Sequence, residues 1–268
     1  MLDFVKIRTI LFDMDGVLYC GKQVLPGVRE IIAFCKQQKI VCACITNNAT
    51  LTPQQYDQKL TELGILIPGS HVIGSAFVTN LYLREQYPSG TTVYIIGMDG
   101  LHKFLLADNY FTLQEQNPQI VVQSADLTLT YQKLKTACLA IRAGARFIAT
   151  NTDRSFPTEE GLAPGSGAIT AAIQAATDVA PFVIGKPQPT IFRTAINLLG
   201  STPETTLMIG DRLETDILGA KSVGIHTALV LTGVTKRTNL VNSSVQPDFV
   251  FDDLRETLKA LQKVYSDA

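Results

Sequence analysis

The chain has 268 residues, 46% of them hydrophobic, with a formal net charge of −1. That length holds one large α/β domain or two smaller ones with ample material for a core. The near-neutral balance, with no Lys/Arg-rich run and no Trp, excludes a dedicated nucleic-acid binder. No stretch reads as a signal peptide and no apolar run reaches the roughly 18 residues of a membrane span, so the expected location is the cytoplasm.

The first element is a strand, Ile10-Leu11-Phe12, apolar enough to be buried on both faces. It stops at Asp13-Met14-Asp15-Gly16. Side chains alternate along an extended segment, so the two aspartates would diverge if the strand continued. Gly16 permits a turn that swings both carboxylates toward one small volume. Two carboxylates about 4 Å apart repel by roughly 4 kcal/mol at an effective dielectric near 20. A fold keeps such a pair for a cation, a shared proton or a reaction; the plain alternative is a loop of solvated aspartates.

A hairpin-sized connection over 19–26 leads to a helix on which Val28, Ile31, Ile32 and Cys35 follow the 3.6-residue period. A second buried strand over 40–45 ends in Thr46-Asn47-Asn48. Thr52-Pro53-Gln54-Gln55 then reads as a capping box with proline at the first helical position, and that helix, carrying Tyr56, Leu60 and Leu63, stops at Gly64. Organisation breaks near 74–80. Strands follow over 92–97, 119–123 and 146–150, interleaved with helices around 101–106 and 131–142. The Gly/Pro-rich stretch 161–167 opens a helix over 168–176. Phe182-Val183-Ile184 leads into Gly185-Lys186-Pro187, and a helix over 190–199 ends at Gly200. A strand over 205–209 runs into Gly210-Asp211-Arg212-Leu213-Glu214-Thr215-Asp216, followed by a helix to Val223. Strands over 227–231 and 249–251 and an amphipathic helix over 254–264 complete the chain. The alternation predicts an α/β fold with a doubly wound, Rossmann-like parallel sheet. The five cysteines, Cys20, Cys35, Cys42, Cys44 and Cys138, lack zinc-ligand spacing and are expected as structural thiols in a reducing compartment. The scattered histidines His71, His102 and His226 suggest no metal set.

Polar clusters at Asp13/Asp15, Thr46/Asn47, Lys186 and Asp211/Asp216 follow apolar strands or loops. In an open α/β sheet, ligand sites lie beyond the carboxyl ends of strands, so these clusters can converge. A carboxylate at Asp13 can attack phosphorus and carry the phosphoryl group. Asp15 can protonate the leaving oxygen and then accept a proton from water. Three carboxylates beside a phosphate need compensating charge, which Lys186 and Mg²⁺ would supply; the all-oxygen set suits Mg²⁺ better than zinc. The Thr46 hydroxyl and the Asn47 backbone N–H are suited to phosphate oxygens.

Taken together, Asp13-Met14-Asp15-Gly16-Val17, Thr46-Asn47-Asn48, Gly185-Lys186-Pro187 and Gly210-Asp211-x₄-Asp216 resemble the haloacid dehalogenase-like superfamily. The pattern Gly210-Asp211-Arg212-x-x-Thr215-Asp216 is closest to its NagD-like and 4-nitrophenylphosphatase-like branch. Phe147-Ile148-Ala149-Thr150-Asn151-Thr152-Asp153 and Pro164-Gly165-Ser166-Gly167 resemble that branch's cap domain. The resemblance covers nearly the whole chain. It implies that Asp13 is the nucleophile and a magnesium ligand. Asp15 is then the general acid/base, with its backbone carbonyl on the metal, and Asp211 a further magnesium ligand. Thr46 and Lys186 hold the phosphoryl group with backbone help from Asn47, and Asp216 supports the site. Dehalogenases of the superfamily lack the second aspartate, so Asp15 speaks against carbon–halogen chemistry.

The span from Asp15 to Thr46 is filled by one turn and one helix, leaving no room for a lid. The span from Thr46 to Lys186 far exceeds one crossover and contains the additional α/β block. The expected division is a catalytic core of residues 1–78 and 182–268 with a smaller α/β cap inserted at 79–181. Asn151 and Asp153 are candidates for the cap edge facing substrate, against the alternative of a turn with side-chain-to-backbone bonds. Gly165-Ser166-Gly167 reads as a closely packed helix start. Cys20 either packs or lines the approach to the site, Arg212 has no assignment, and Gln123-Ser124 departs from the more apolar stretch expected there.

The expected activity is magnesium-dependent hydrolysis of small-molecule phosphomonoesters through an aspartyl phosphate. The alternatives are a phosphotransferase or phosphomutase on the same core, and a non-catalytic binding protein. The partner implied is a small phosphate ester, with no nucleic acid polymer and no membrane; family analogy adds a homo-oligomer formed through the cap.

Overall fold

The computed structural model describes residues 7–158 and 160–266. They form two compact units. The first comprises the chain through Thr46, Tyr56–Ile73 and the chain from Lys186 onward; the second comprises Asn47–Gln55 and Gly74–Gly185.

The first unit is built on a six-stranded sheet. Its order is Phe249–Phe251, His226–Val230, Thr206–Gly210, Thr9–Phe12, Val41–Thr46 and Val72–Gly74. The central strand Thr9–Phe12 is wholly buried, and its parallel neighbours pair Phe12 with Ile209 on one side and with Cys44 on the other. From this strand the chain first builds outward through Val41–Thr46, and later in the opposite direction through Thr206–Gly210. The order therefore reverses beside Thr9–Phe12, which makes its carboxyl end the topological switch point of the sheet. Apolar stripes attach the helices: Val28–Gln37 buries Val28, Ile31, Ile32, Phe34 and Cys35, and Pro189–Leu198 buries Ile191, Phe192, Ala195 and Ile196.

The second unit has its own five-stranded parallel sheet, ordered Phe182–Val183, Arg146–Ala149, Ile120–Gln123, Thr92–Ile96 and Thr112–Leu113. Helices Tyr131–Arg142 and Ser166–Thr177 close one core around Tyr94, Ile96, Val121, Ala137, Phe147 and Ile173. The capping box at the start of Pro53–Glu62 is present: Gln55 N–H donates to Thr52 Oγ1 at 3.3 Å and Thr52 N–H to Gln55 Oε1 at 2.8 Å.

The units divide at 73/74 and 185/186, where the sequence reading put 78/79 and 181/182, and residues 47–55, expected in the core, cluster with the second unit. The physical cause is on both flanks of the second sheet. Ser75–Gln86 is one uninterrupted helix, and Phe182 pairs with Ile148 while stacking on Tyr82 with ring centroids 4.9 Å apart. A further difference lies at 155–164. The stretch expected only to open a helix holds a strand, Gly161–Pro164, antiparallel to Ser155–Thr158. Thr158 Oγ1 donates to Gly161 O at 2.8 Å, and Gly161 turns the chain at φ 129°. The helix then begins at Ser166. Gly165 and Gly167 are close-packed there: a Cβ on either would lie 2.3 Å from the carbonyl oxygen of Asp153 or Thr152. All five cysteines are free thiols, and Cys20 is exposed, so it does not pack. No described helix is long and apolar enough to cross a membrane.

Gln123, out of place in an apolar strand, is the polar centre of the second unit. It is fully buried. Its Nε2 donates to Ser124 O, Ser166 O and Ser166 Oγ at 2.7, 3.1 and 3.0 Å, and its Oε1 accepts from Thr170 Oγ1. The strand end is thereby tied to the first turn of Ser166–Thr177. Gln123→Leu leaves two buried hydroxyls and a helix start without this partner, and a destabilisation of about 1–3 kcal/mol is expected. Urea denaturation measures it; a midpoint equal to the wild type would remove Gln123 from the structural account.

Candidate active site

Four of the sequence-predicted residues meet in the first unit at the carboxyl edge of its sheet. Asp13 follows the central strand directly, and its N–H is held by Ile209 O at 2.9 Å. Asp211 follows the neighbouring strand Thr206–Gly210, and Asp216 lies in a single π-helical turn, Leu213–Ile217. Such turns are rare and recur at functional sites. This one folds the Asp216 carboxylate back onto the strand end, where Oδ2 accepts the N–H groups of Asp211 and Arg212, each at 3.1 Å. Gly210 makes room: a Cβ there would lie 2.3 Å from Asp216 Cβ.

Lys186 reaches the same place by another route. Phe182–Val183, the strand before it, belongs to the second sheet, so Lys186 does not follow a strand of the first. Its buried ammonium donates to Asp13 Oδ1 and Asp216 Oδ1, both at 2.7 Å. Ligand oxygens of Asp13, Asp211 and Asp216 all lie within 4.8 Å of one another. Burial works against the lysine's charge, but Asp13 and Asp216 outweigh it and hold the ammonium well above the ordinary lysine range. Burial pushes the Asp13 carboxyl well above its usual value, against the pull of Lys186 and with the added push of Asp216 and Asp211. For Asp211, burial and then the charge of Asp216 raise it to about 6, although the Val234 N–H, Arg212 and Lys186 oppose the shift.

The chain turns sharply after Asp13. Gly16, at φ 86°, lets Met14 O accept the N–H of Leu18 at 2.9 Å, and the hairpin Tyr19–Cys20 with Gln23–Val24 follows. Asp15 keeps exposed surface, yet the surrounding protein desolvates its carboxyl enough to raise it, while Lys59, Lys186 and Arg212 pull it down. A carboxyl whose pKa is raised by burial holds its proton more readily, which suits proton transfer. Lys59, which the sequence reading did not single out, lies 4.0 Å above the Tyr19 ring. Thr46, buried at the end of Val41–Thr46, shares a hydrogen bond with the buried Tyr56 hydroxyl, another residue the sequence reading missed. Tyr56 reads in the sequence only as an apolar position of its helix.

Asn47, Asn151 and Asp153 gather in the second unit. Asn47 Nδ2 donates to both Asp153 oxygens at 3.1 and 3.2 Å, and Asn151 Nδ2 donates to Asn47 O at 2.8 Å. Asn151 Oδ1 also accepts the Asp153 N–H at 3.1 Å, the side-chain-to-backbone turn weighed as the alternative for this pair. The amide and carbonyl of Asn47 therefore join two distant segments.

The first-unit cluster meets the chemical requirements of a hard divalent cation. It places three carboxylates around one ammonium, all donors are oxygen, and Asp211 Oδ1 is buried with no hydrogen-bond partner among the described residues. Asp216 is already saturated by Lys186 and two backbone N–H groups. Asp13 and Asp211 are the carboxylates left to ligate.

A carboxyl raised from 3.8 to about 6 on folding favours the folded state while protonated. Its contribution is complete below the unfolded value and is lost as the pH climbs through about 6. In chelator, the melting temperature is expected to fall by a few degrees from pH 5 to pH 7.5, and Asp211→Asn to flatten that slope. Differential scanning calorimetry across pH checks it; an unchanged slope in Asp211→Asn would refute the assignment.

Comparison with known proteins places this geometry in a family. Residues 10–110 match the family model described as haloacid dehalogenase-like hydrolase, and residues 183–257 match the model described as HAD-hydrolase-like. The acid sugar phosphatase of Staphylococcus saprophyticus is 38% identical over 256 residues, covering 96% of this chain and 98% of the relative. Among solved structures, the 4-nitrophenylphosphatase of Thermotoga maritima superposes with a TM-score of 0.92 at 36% identity, over 97% of this chain and 99% of that one. The glycerol phosphate phosphatase of Mycobacterium tuberculosis, solved in complex with magnesium, gives 0.86 at 33% identity, over 95% of this chain and 78% of that one. The chain belongs to the haloacid dehalogenase-like hydrolases, in their NagD-like and 4-nitrophenylphosphatase-like branch.

Proposed function

We propose that this protein is a magnesium-dependent phosphatase that hydrolyses small-molecule phosphomonoesters through an aspartyl phosphate on Asp13. The observation that carries the reading is the buried Lys186 ammonium bridging Asp13 and Asp216 at 2.7 Å each, beside an Asp211 oxygen with no partner among the described residues. The names of the relatives, an acid sugar phosphatase, a 4-nitrophenylphosphatase and a glycerol phosphate phosphatase, support the substrate class.

In this reading Asp13, Asp211 and the backbone carbonyl of Asp15 hold Mg²⁺, whose charge, when bound, offsets the carboxylates and the phosphate. Asp13 attacks phosphorus through a carboxylate oxygen, and the bond to the ester oxygen breaks. Asp15 gives its proton to that oxygen, then takes one from the water that hydrolyses the acyl phosphate and returns Asp13 to a free carboxylate. Lys186 and the Thr46 hydroxyl bind phosphoryl oxygens, with the Asn47 backbone as a further donor. Asp216 holds Lys186 in place. The first unit is the catalytic core and the second the cap, with Asn151 and Asp153 as its candidate contacts to the leaving group.

The assay is phosphate release from a panel of aryl, sugar and glycerol phosphates, with and without Mg²⁺ and with no added acceptor. Asp13→Asn is expected to lower kcat by about a thousandfold or more. Asp15→Asn is expected to cost roughly a hundredfold on alkyl esters, whose leaving oxygen needs a proton, and less on p-nitrophenyl phosphate. Full turnover by Asp13→Asn would overturn the nucleophile, and release only on adding an alcohol acceptor would make the protein a transferase.

A further inference from the structure

Residues 232–235, Thr-Gly-Val-Thr, follow the strand His226–Val230 and carry no charge. They nevertheless hold Asp211 from several sides. Val234 N–H donates to Asp211 Oδ2 at 2.7 Å, and Thr235 N–H donates to Asp211 O at 3.1 Å. Gly233 lies against the carboxylate: a Cβ there would stand 2.0 Å from Oδ2 and 2.5 Å from Cγ. The φ of Gly233 is outside the left-handed region, so contact with Asp211, and not backbone conformation, is what forbids a side chain.

The same segment reaches the opening turn. Thr232 Oγ1 donates to Gly16 O at 2.6 Å, and a Cβ on Gly16 would lie 2.8 Å from the same Asp211 oxygen. Oδ2 is thus hydrogen-bonded and hemmed in by two glycines from distant parts of the chain. Oδ1, buried, has no hydrogen-bond partner among the described residues. A carboxylate pinned by one oxygen cannot swing, so the other is presented in a fixed direction.

We infer that residues 232–234 are a positioning segment for the cation: they fix Asp211 through Oδ2 so that Oδ1 faces the site as its ligand atom. The inference rests on the magnesium reading above. Groups that orient a ligand commonly change metal affinity by about ten- to a hundredfold when removed. Gly233→Ala acts by displacing the carboxylate. Thr232→Val removes only the hydroxyl that ties the segment to Gly16, and Thr232→Ser restores it.

The test is isothermal titration of Mg²⁺ into the purified protein and these three variants, with melting temperatures in chelator as the control for folding. Gly233→Ala is expected to weaken Mg²⁺ binding at least about tenfold. Thr232→Val should weaken it several-fold, Thr232→Ser should match the wild type, and the melting temperatures without metal should stay within a few degrees. If Gly233→Ala fails to fold, the Thr232 pair decides. Wild-type affinity in folded Thr232→Val and in any folded Gly233→Ala would overturn the inference while leaving the magnesium reading intact. A wild-type protein that binds no Mg²⁺ would overturn both.

Discussion

The buried ammonium of Lys186, held 2.7 Å from Asp13 and 2.7 Å from Asp216, is the constraint on which the rest of the first unit depends. Removing a carboxylate from water costs several kcal/mol even after relaxation, and here three are brought within reach of one another. One ammonium cannot neutralise them. Burial first, and then the charge of neighbouring carboxylates, raises the carboxyls of Asp13 and Asp211. A site built with an electrostatic deficit of this kind is stable as a resting structure but favours added positive charge.

Everything around that pair is arranged to keep the carboxylates from relaxing. Asp13 is fixed by emerging from a wholly buried strand of the sheet, at its switch point. Asp216 is fixed by a π turn and two backbone donors. Asp211 is fixed by the N–H of Val234 and the close approach of Gly16 and Gly233. Each device uses main chain, which has little freedom left to lose once the sheet has formed. Preorganised groups of this kind stabilise developing charge without reorganising at the moment of reaction.

The second unit follows a different logic. Its sheet core is apolar, but the carboxyl edge is organised by polar side chains: Gln123 with Ser166 and Thr170, and Asn47 with Asn151 and Asp153. Buried amides of this sort are favourable only when every donor and acceptor is met, and they then specify one arrangement of the segments they join. An insertion that had only to fill space would not need them.

The sequence by itself determined the alternating elements, the two-sheet organisation and the polar groups that meet at the sheet edge. These are local properties: buried strands are short apolar runs, Asp13 stands at the abrupt end of one, and Lys186 and Asp211 directly follow glycines. Tertiary structure decided the rest. The hairpin Ser155–Thr158 with Gly161–Pro164 contains two prolines and a glycine, so its pattern carries no strand signal. The unit boundaries depend on which sheet Phe182–Val183 joins, a choice made by pairing with Arg146–Ala149 and stacking on Tyr82. Tyr56 and Lys59 look like ordinary helix positions until Thr46 and Tyr19 are folded against them. Thr232 and Gly233 look like a plain turn. They gain meaning only when the chain brings them back to Gly16 and Asp211, because a close approach between distant segments leaves no trace in local composition.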